Sequence, residues 1–489
     1  MAIVTVIRDD TVRKIEFDDA SAPLAGIVLA DAGILVPHPC GGRGVCGKCA
    51  AEIRGTISPM TDAEKSAGTR LLCQTRLLGD SEIRLSAAGT MRIETNTAVL
   101  LANAPMLVRF GAAVDIGTTT IALKLYDTDG RELASAAAQN PQCSIGADVM
   151  SRIEAAMNGR GAELRTLVTA CVEDLLDKAC AAAGIATEDV DLQVIAGNTT
   201  MLYLLTGRDP TCLSAAPFEA DTLFGSETTV NERRTYLPHC MNAFVGADIT
   251  CAVIAAGMCR DSKTSLLCDI GTNGEIALWK NGVLYVTSTA AGPAFEGAGI
   301  SCGCGSVDGA VDRVWVEDGI IVTHTIGNAP AVGICGSGLI DAVAAFLDTG
   351  IMDETGAADG DLELGTISLI PADLRAVQLA KAAIAAGIRT LLQTSQTSFD
   401  EVATLYIAGG FGSHLNVKSA VRIGLLPAEL ADRVKVIGNG SLTGAAMMLL
   451  DQSAATEAAE YAGNAKHVNL GGSSAFNANF IEEMIFPEE

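Results

Sequence analysis

Residues 40–49, reading CGGRGVCGKC, set Cys40, Cys46 and Cys49 at the spacing C-x5-C-x2-C, and Cys73 follows 24 positions after Cys49. Three thiolates close together and a fourth at a distance are the ligand set of a [2Fe–2S] cluster. The glycines serve the same chemistry. A loop wrapped around a cluster must turn through positive φ and aim backbone N–H groups at sulfur, and glycine does both at little cost. The stretch also fits two nucleotide patterns, G-x-G-x-x-G from Gly42 to Gly47 and G-x-x-x-x-G-K from Gly42 to Lys48. Both are excluded. Cys49 stands where a P-loop needs a hydroxyl for magnesium, and no helix-forming run follows.

A second chemical signal is repeated. VDIGTTTIAL at 114–123 returns as CDIGTNGEIAL at 268–278, which puts Asp115 and Asp269 154 positions apart. Each copy reads as a strand, a tight turn of glycine and hydroxyl residues, and a second strand. The Asp ends a buried strand, and the turn presents N–H and Thr hydroxyl groups. Two such turns facing one another can grip a polyphosphate from both sides, with the two carboxylates holding Mg²⁺ through water.

The chain has 489 residues, enough for two to four domains, with 49% hydrophobic and 19% charged residues. A net charge of −25 argues against nucleic acid and anionic membrane surfaces. The opening residues MAIVTVIRDD carry no secretory pattern, and no 18-residue apolar run without charge exists. A cytoplasmic, reduced setting is expected. The cysteines outside the cluster set, Cys302, Cys304 and Cys335 among them, then read as small buried hydrophobes. The five histidines show no zinc-pair spacing.

These residues need elements to position them. Residues 2–7 and 13–17 read as strands, 22–31 as a helix, 50–54 and 82–86 as strands, with a polar connection leading to Cys73. That order matches a β-grasp ferredoxin within residues 1–88, and a linker is expected at 89–110. Beyond it, helical stripes at 163–183 and 374–393 alternate with apolar strands at 192–196 and 405–408 in α/β fashion.

The N-terminal part resembles [2Fe–2S] ferredoxins, including the fourth cysteine in CQTRL. The x5 spacing is nearer the adrenodoxin-like branch than the plant-type C-x4-C-x2-C. The remainder resembles the actin/Hsp70/sugar-kinase (ASKHA) fold, a duplicated RNase H-like ATPase. DIGTTT, GAD before a helix, DIGTNGE, IAGGFG and GNGSLTGAA follow that fold's order of phosphate 1, connect 1, phosphate 2, adenosine and connect 2. The resemblance implies one subdomain at 111–260 and a second at 261–489, which returns to the first through connect 2. It implies that Gly117, Thr118, Thr119, Gly271, Thr272 and Asn273 touch the phosphates of ATP. Gly409, Gly410, Gly440 and Ser441 would serve the rest of the nucleotide. Asp115 and Asp269 would serve Mg²⁺, and Asp248 would orient the attacking water.

The fusion of the two parts, with NPQCSIGADVMSRI, AGNTTML, GPAFEGAGISCG and ICGSGLID, resembles the reductive activators of corrinoid-dependent proteins. That resemblance implies ATP-driven reduction of a partner's Co(II) corrinoid to Co(I), with electrons from an upstream donor. Cobalamin is expected on the partner, since no D-x-H-x-x-G motif is present. The chain departs from longer members by carrying only a linker where they carry an extra domain, which bears on which corrinoid protein it meets. Two rivals stay open, a small-molecule kinase with a regulatory ferredoxin and a redox-sensing nucleotide switch. Whether the chain forms a homodimer is also open.

Overall fold

The computed structural model describes residues 1–8, 11–34, 36, 42, 44, 47–85, 103–409 and 415–488. Cys40, Cys46 and Gly410 lie outside the described residues, as does most of the expected linker.

The N-terminal unit holds β1 (Ala2–Arg8), β2 (Thr11–Phe17), α1 (Ala25–Asp31), β3 (Ala50–Ile57), α2 (Asp62–Ala67), β4 (Arg70–Leu71) and β5 (Leu77–Leu85). Its sheet runs β2-β1-β5-β3-β4, with β1 antiparallel to β2 and parallel to β5. Burial alternates along β1, so Ala2, Val4 and Val6 face Ala25, Val28 and Leu29 of α1. The stretch expected as a plain polar connection contains α2. Thr61 and Glu64 start it with a reciprocal capping box. One and a half turns are too short to show a helical period.

The next sheet is built from β6 (Phe110–Ile116), β7 (Thr120–Asp127) and β8 (Glu132–Gln139). After α3 (Val149–Ala155) and α4 (Gly161–Ala183) come β9 (Val190–Gly197), α5 (Thr199–Thr206), β10 (Ser226–Val230) and β11 (Arg233–Leu237). The strand order is β10-β11-β9-β6-β7-β8. β6 is apolar on both faces because α4 covers one side through Leu164, Val168 and Leu175, and a later helix covers the other.

α6 (Ala247–Ala256) leads to β12 (Ser265–Ile270), β13 (Gly274–Lys280) and β14 (Val283–Thr289). A small sheet of β15 (Ala310–Glu317), β16 (Ile320–Thr325) and β17 (Gly333–Ile334) comes next, then α7 (Gly336–Asp348) and the hairpin β18 (Leu362–Leu364) and β19 (Ile367–Leu369). The chain continues through α8 (Pro371–Thr394), β20 (Thr404–Ala408), α9 (Val417–Arg422), β21 (Val434–Gly438), α10 (Gly440–Leu450), α11 (Gln452–Asn464), β22 (Lys466–His467) and α12 (Ser474–Glu482). The second large sheet runs β21-β20-β12-β13-β14-β22.

The two large sheets repeat one topology. β8-β7-β6-β9-β11 and β14-β13-β12-β20-β21 both place a three-strand meander beside two parallel strands. Asp115 lies opposite Ala196 in the parallel ladder of the first sheet, and Asp269 lies opposite Ala408 in the second. The IAG tripeptides at 195–197 and 407–409 are therefore counterparts, like the DIG tripeptides beside them.

Two helices lie between the sheets. α10 buries Leu442, Ala445 and Leu449 against Ala113 and Val194 of the first sheet. α6 buries Ile249, Ala252 and Val253 against Leu267, Ala277 and Ala408 of the second. They cross where Gly444 meets the Cys251 carbonyl, so closely that an added Cβ would sit 2.0 Å from that oxygen. Among the described residues no helix is long and apolar enough to cross a membrane.

Candidate functional site

Two centres emerge, a thiol corner in the N-terminal unit and a cleft between the two large sheets. In the first, Cys49 precedes β3 and Cys73 comes after β4. Both are buried, with sulfurs 3.3 Å apart. A disulfide would bring them to about 2.05 Å. Two sulfurs on one tetrahedral metal, with bonds of about 2.3 Å, stand nearly 4 Å apart. At 3.3 Å the two thiols are not joined as a disulfide and lie within reach of one another.

The Cys49 thiol brings Cys73 down to about 6 against the opposing effect of burial, helped by Gln74 and the Gly44 N–H. Gln74 Nε2 also donates to the Gly42 carbonyl at 2.7 Å, tying the Cys73 turn to the cluster loop. Glu64 of α2 braces that turn from behind. It is wholly buried and accepts from the Leu71 N–H at 3.2 Å and from the Thr75 hydroxyl. Burial alone would raise its carboxyl, but the Thr75 hydroxyl and the Thr61 and Leu71 N–H groups hold it below the usual range. The sequence alone does not single out Glu64; its one signal is the capping box.

The cleft collects most of the other candidates. Gly117, Thr118, Thr119, Gly271, Thr272, Asn273, Gly409 and Ser441 line it together with Asp115, Asp248 and Asp269. Both DIGT turns close tightly, Gly117 N–H onto the Thr120 carbonyl at 2.9 Å and Gly271 N–H onto that of Asn273 at 3.0 Å. The first turn is braced from below. Asn140 Nδ2 donates to the Gly117 carbonyl at 2.8 Å, and the buried Arg152 donates to that of Thr118 at 2.5 Å. Burial lowers the Arg152 guanidinium to about 10. Gly440 is placed differently. It begins α10 in the seam against α6, where an added Cβ would meet that of Ala252 at 3.0 Å.

The carboxylates differ in their surroundings. Asp115 accepts from Ser441 Oγ at 2.7 Å and from Asn439 Nδ2 at 2.9 Å, so both its oxygens are held by the start of α10. Burial raises its carboxyl nonetheless. Asp248 sits in the first turn of α6, and burial outweighs the Ile249 N–H to push it up to about 7, with the field of Asp115 adding. Asp269 rises to about 8 through burial and then through the fields of Asp248, Asp115 and Glu296. Gly409, at φ +109°, passes so near that a Cβ there would sit 3.0 Å from Asp269 Oδ1.

Sequence reasoning missed Glu275, Glu296, Asn439, Asn198 and Arg152. Glu275 faces Asp269 across the β12–β13 ladder, where the first copy has Ala122 opposite Asp115. Glu296 joins the two halves of the cleft. It accepts from Thr119 Oγ1 at 2.5 Å, from the Thr272 N–H at 2.8 Å and from Thr272 Oγ1 at 2.9 Å, so one carboxylate spans both DIGT turns. Its signal was an acid inside the glycine-bounded apolar run GPAFEG. Among the described residues no three His, Cys, Asp or Glu side chains converge to hold a metal unaided. Of the cysteines expected to be buried, Cys335 is, while Cys302 and Cys304 are only half-buried, Cys302 packing against the core of the second large sheet; burial raises Cys304 to about 12.

The centres meet. Lys48, one residue before Cys49, donates to the Gly303 carbonyl at 2.6 Å and to that of Ser301 at 3.3 Å. Those carbonyls belong to the turn that comes after Glu296.

A β-grasp ferredoxin unit followed by an ASKHA-fold unit defines the class of protein. Residues 7–78 match the 2Fe-2S iron-sulfur cluster binding domain, 110–261 the RACo middle region, and 263–489 the C-terminal domain of RACo, the ASKHA domain. The corrinoid activation enzyme RamQ of Eubacterium limosum is 34% identical over 421 residues, 77% of this chain and 70% of the relative. The [Co(II) methylated amine-specific corrinoid protein] reductase of Methanosarcina barkeri is 25% identical over 421 residues, 77% of each. A solved structure of a reductive activator for corrinoid, iron-sulfur protein superposes with TM-score 0.72 at 26% identity, covering 100% of this chain and 98% of that one. The chain belongs to the family of reductive activators of corrinoid-dependent proteins.

Proposed function

We propose that the chain uses ATP bound in the cleft to reduce the cobalt of a corrinoid protein, Co(II) plus one electron giving Co(I). The observation that carries this reading is the contact from Lys48 in the cluster loop to Gly303 beside the cleft. Thiol corner and nucleotide cleft are thereby parts of one assembly.

Cys40, Cys46, Cys49 and Cys73 would hold a [2Fe–2S] cluster, which supplies a one-electron donor of low potential, about −400 mV in plant-type ferredoxins. One-electron transfer falls about tenfold for each 59 mV by which the acceptor lies below the donor. Nucleotide must therefore alter the cobalt site or the docking geometry, since a ligand shifts an equilibrium only through differential affinity.

In the cleft, the N–H and hydroxyl groups of Thr118, Thr119, Thr272 and Asn273 would bind the phosphates. Asp115 and Asp269 would hold Mg²⁺ through water. Gly409 and Gly410 would pass the adenosine, with Ser441 fixing Asp115. Asp248, once ionised, would orient the water that attacks the terminal phosphate. The reading implies an upstream reductant and a cytoplasmic setting.

Asp269→Ala tests the coupling. ATPase activity and ATP-dependent Co(I) formation should be lost together. Loss of the first with the second intact would sink the reading.

A further inference from the structure

Glu296 makes the contacts that a terminal phosphate would need. Its carboxylate takes the Thr272 N–H and the Thr119 and Thr272 hydroxyls, one turn from each half of the cleft. A carboxylate and a phosphate are both anions, and they cannot share those donors at hydrogen-bond distance without strong repulsion. One must leave.

The turn after Glu296 has no slack. Gly297 turns at φ +75°, and a Cβ there would meet the Cys304 carbonyl oxygen at 2.5 Å. A Cβ on Gly303 would meet the Gly297 carbonyl oxygen at 2.2 Å. The two ends of this turn are thus in backbone contact, and Gly297 cannot move far without moving Gly303. Ser301 between them is held to Asp373 at the start of α8, N–H to Oδ1 at 2.7 Å. Lys48 of the cluster loop rests on the Gly303 carbonyl.

We propose that Glu296 is a positioning residue whose carboxylate competes with the terminal phosphate for the Thr119 and Thr272 donors. Entry of that phosphate displaces Glu296 and shifts, through the turn at 297–303, the seat of Lys48. This rests on the nucleotide reading above and adds to it the residue that distinguishes ATP from ADP and reports the difference to the ferredoxin unit. ADP lacks the group that competes, so it leaves Glu296 and Lys48 where they are.

The test is titration calorimetry of the full chain with AMPPNP and with ADP. Hydrogen bonds to a charged group are worth about 1.5–3 kcal/mol, so Glu296→Gln should bind AMPPNP at least about tenfold more tightly than wild type. ADP affinity should stay within about twofold. Unchanged or weaker AMPPNP binding by the variant overturns the proposal and marks Glu296 as an ordinary nucleotide contact. A second measurement needs no variant. Amine labelling of Lys48 in wild type, read by mass spectrometry, should rise with AMPPNP and not with ADP. Equal labelling in both also overturns it. If wild type binds neither nucleotide, the nucleotide reading itself has failed.

Discussion

Lys48 Nζ lies 2.6 Å from the Gly303 carbonyl oxygen, 255 positions away along the chain. This is the point where the unit that would hold electrons touches the half that would read phosphate. Such a bond contributes about 1 kcal/mol, too little to hold domains together but enough to bias a docking equilibrium about fivefold. Lys48→Ala should leave the unfolding midpoint and basal ATPase unchanged and slow ATP-dependent cobalt reduction about fivefold. Stopped-flow absorbance of the corrinoid reads the rate.

Asp248 is raised to about 7, chiefly by burial. A group that orients or deprotonates water must be ionised, so kcat/KM for ATP should climb as pH rises through about 7. Asp248→Asn should flatten that rise and cut turnover about a hundredfold, the scale of a lost general base. Nucleotide affinity should persist. A steady-state pH profile of both proteins checks this.

The same shifts bear on stability. Asp248 at about 7 and Asp269 at about 8 lie above the unfolded carboxylate value of about 3.9. The native protein therefore binds protons more tightly than the unfolded chain. Its advantage is full below about pH 4 at these two sites and is lost as pH rises toward 8. Their contribution should lower the melting temperature between pH 6 and 8, and Mg²⁺ with AMPPNP should reduce the fall by neutralising both carboxylates. Differential scanning fluorimetry across pH, with and without ligand, reads both slopes.

Gly444 is where α6 and α10 cross, and a Cβ there would stand 2.0 Å from the Cys251 carbonyl. The helices would have to part. α6 carries Asp248 in its first turn, while α10 and its cap hold Asp115 through Ser441 and Asn439. Gly444→Ala should cost about 3 kcal/mol, at the upper end of overpacking effects, and lower ATPase activity too. Chemical denaturation with a linear fit measures the first and phosphate release the second.

How far the sequence reveals these centres depends on the range of each interaction. Cys49 and Cys73 are legible because metal ligation fixes residue type and spacing together. Asp115 and Asp269 are legible because the duplication prints one turn twice. Glu296 is hidden because its partners, Thr119 and Thr272, lie 177 and 24 positions away, and no local periodicity records such contacts. Gly440 also answers a packing demand that GNGSLTG does not display, because it begins α10 against Ala252 of α6. Lys48 is legible only as a charge in a loop. What it touches is set by how two units dock, and neither unit's own pattern specifies that.

The central claim is that nucleotide in the cleft between Asp115 and Asp269 governs reduction of a partner's cobalt. The most direct measurement is an anaerobic mixture of cluster-loaded protein, reductant and Co(II) corrinoid protein, monitored by Co(I) absorbance. The account predicts Co(I) on addition of Mg·ATP and none with Mg·ADP or without nucleotide. Co(I) forming at the same rate in all three would contradict it.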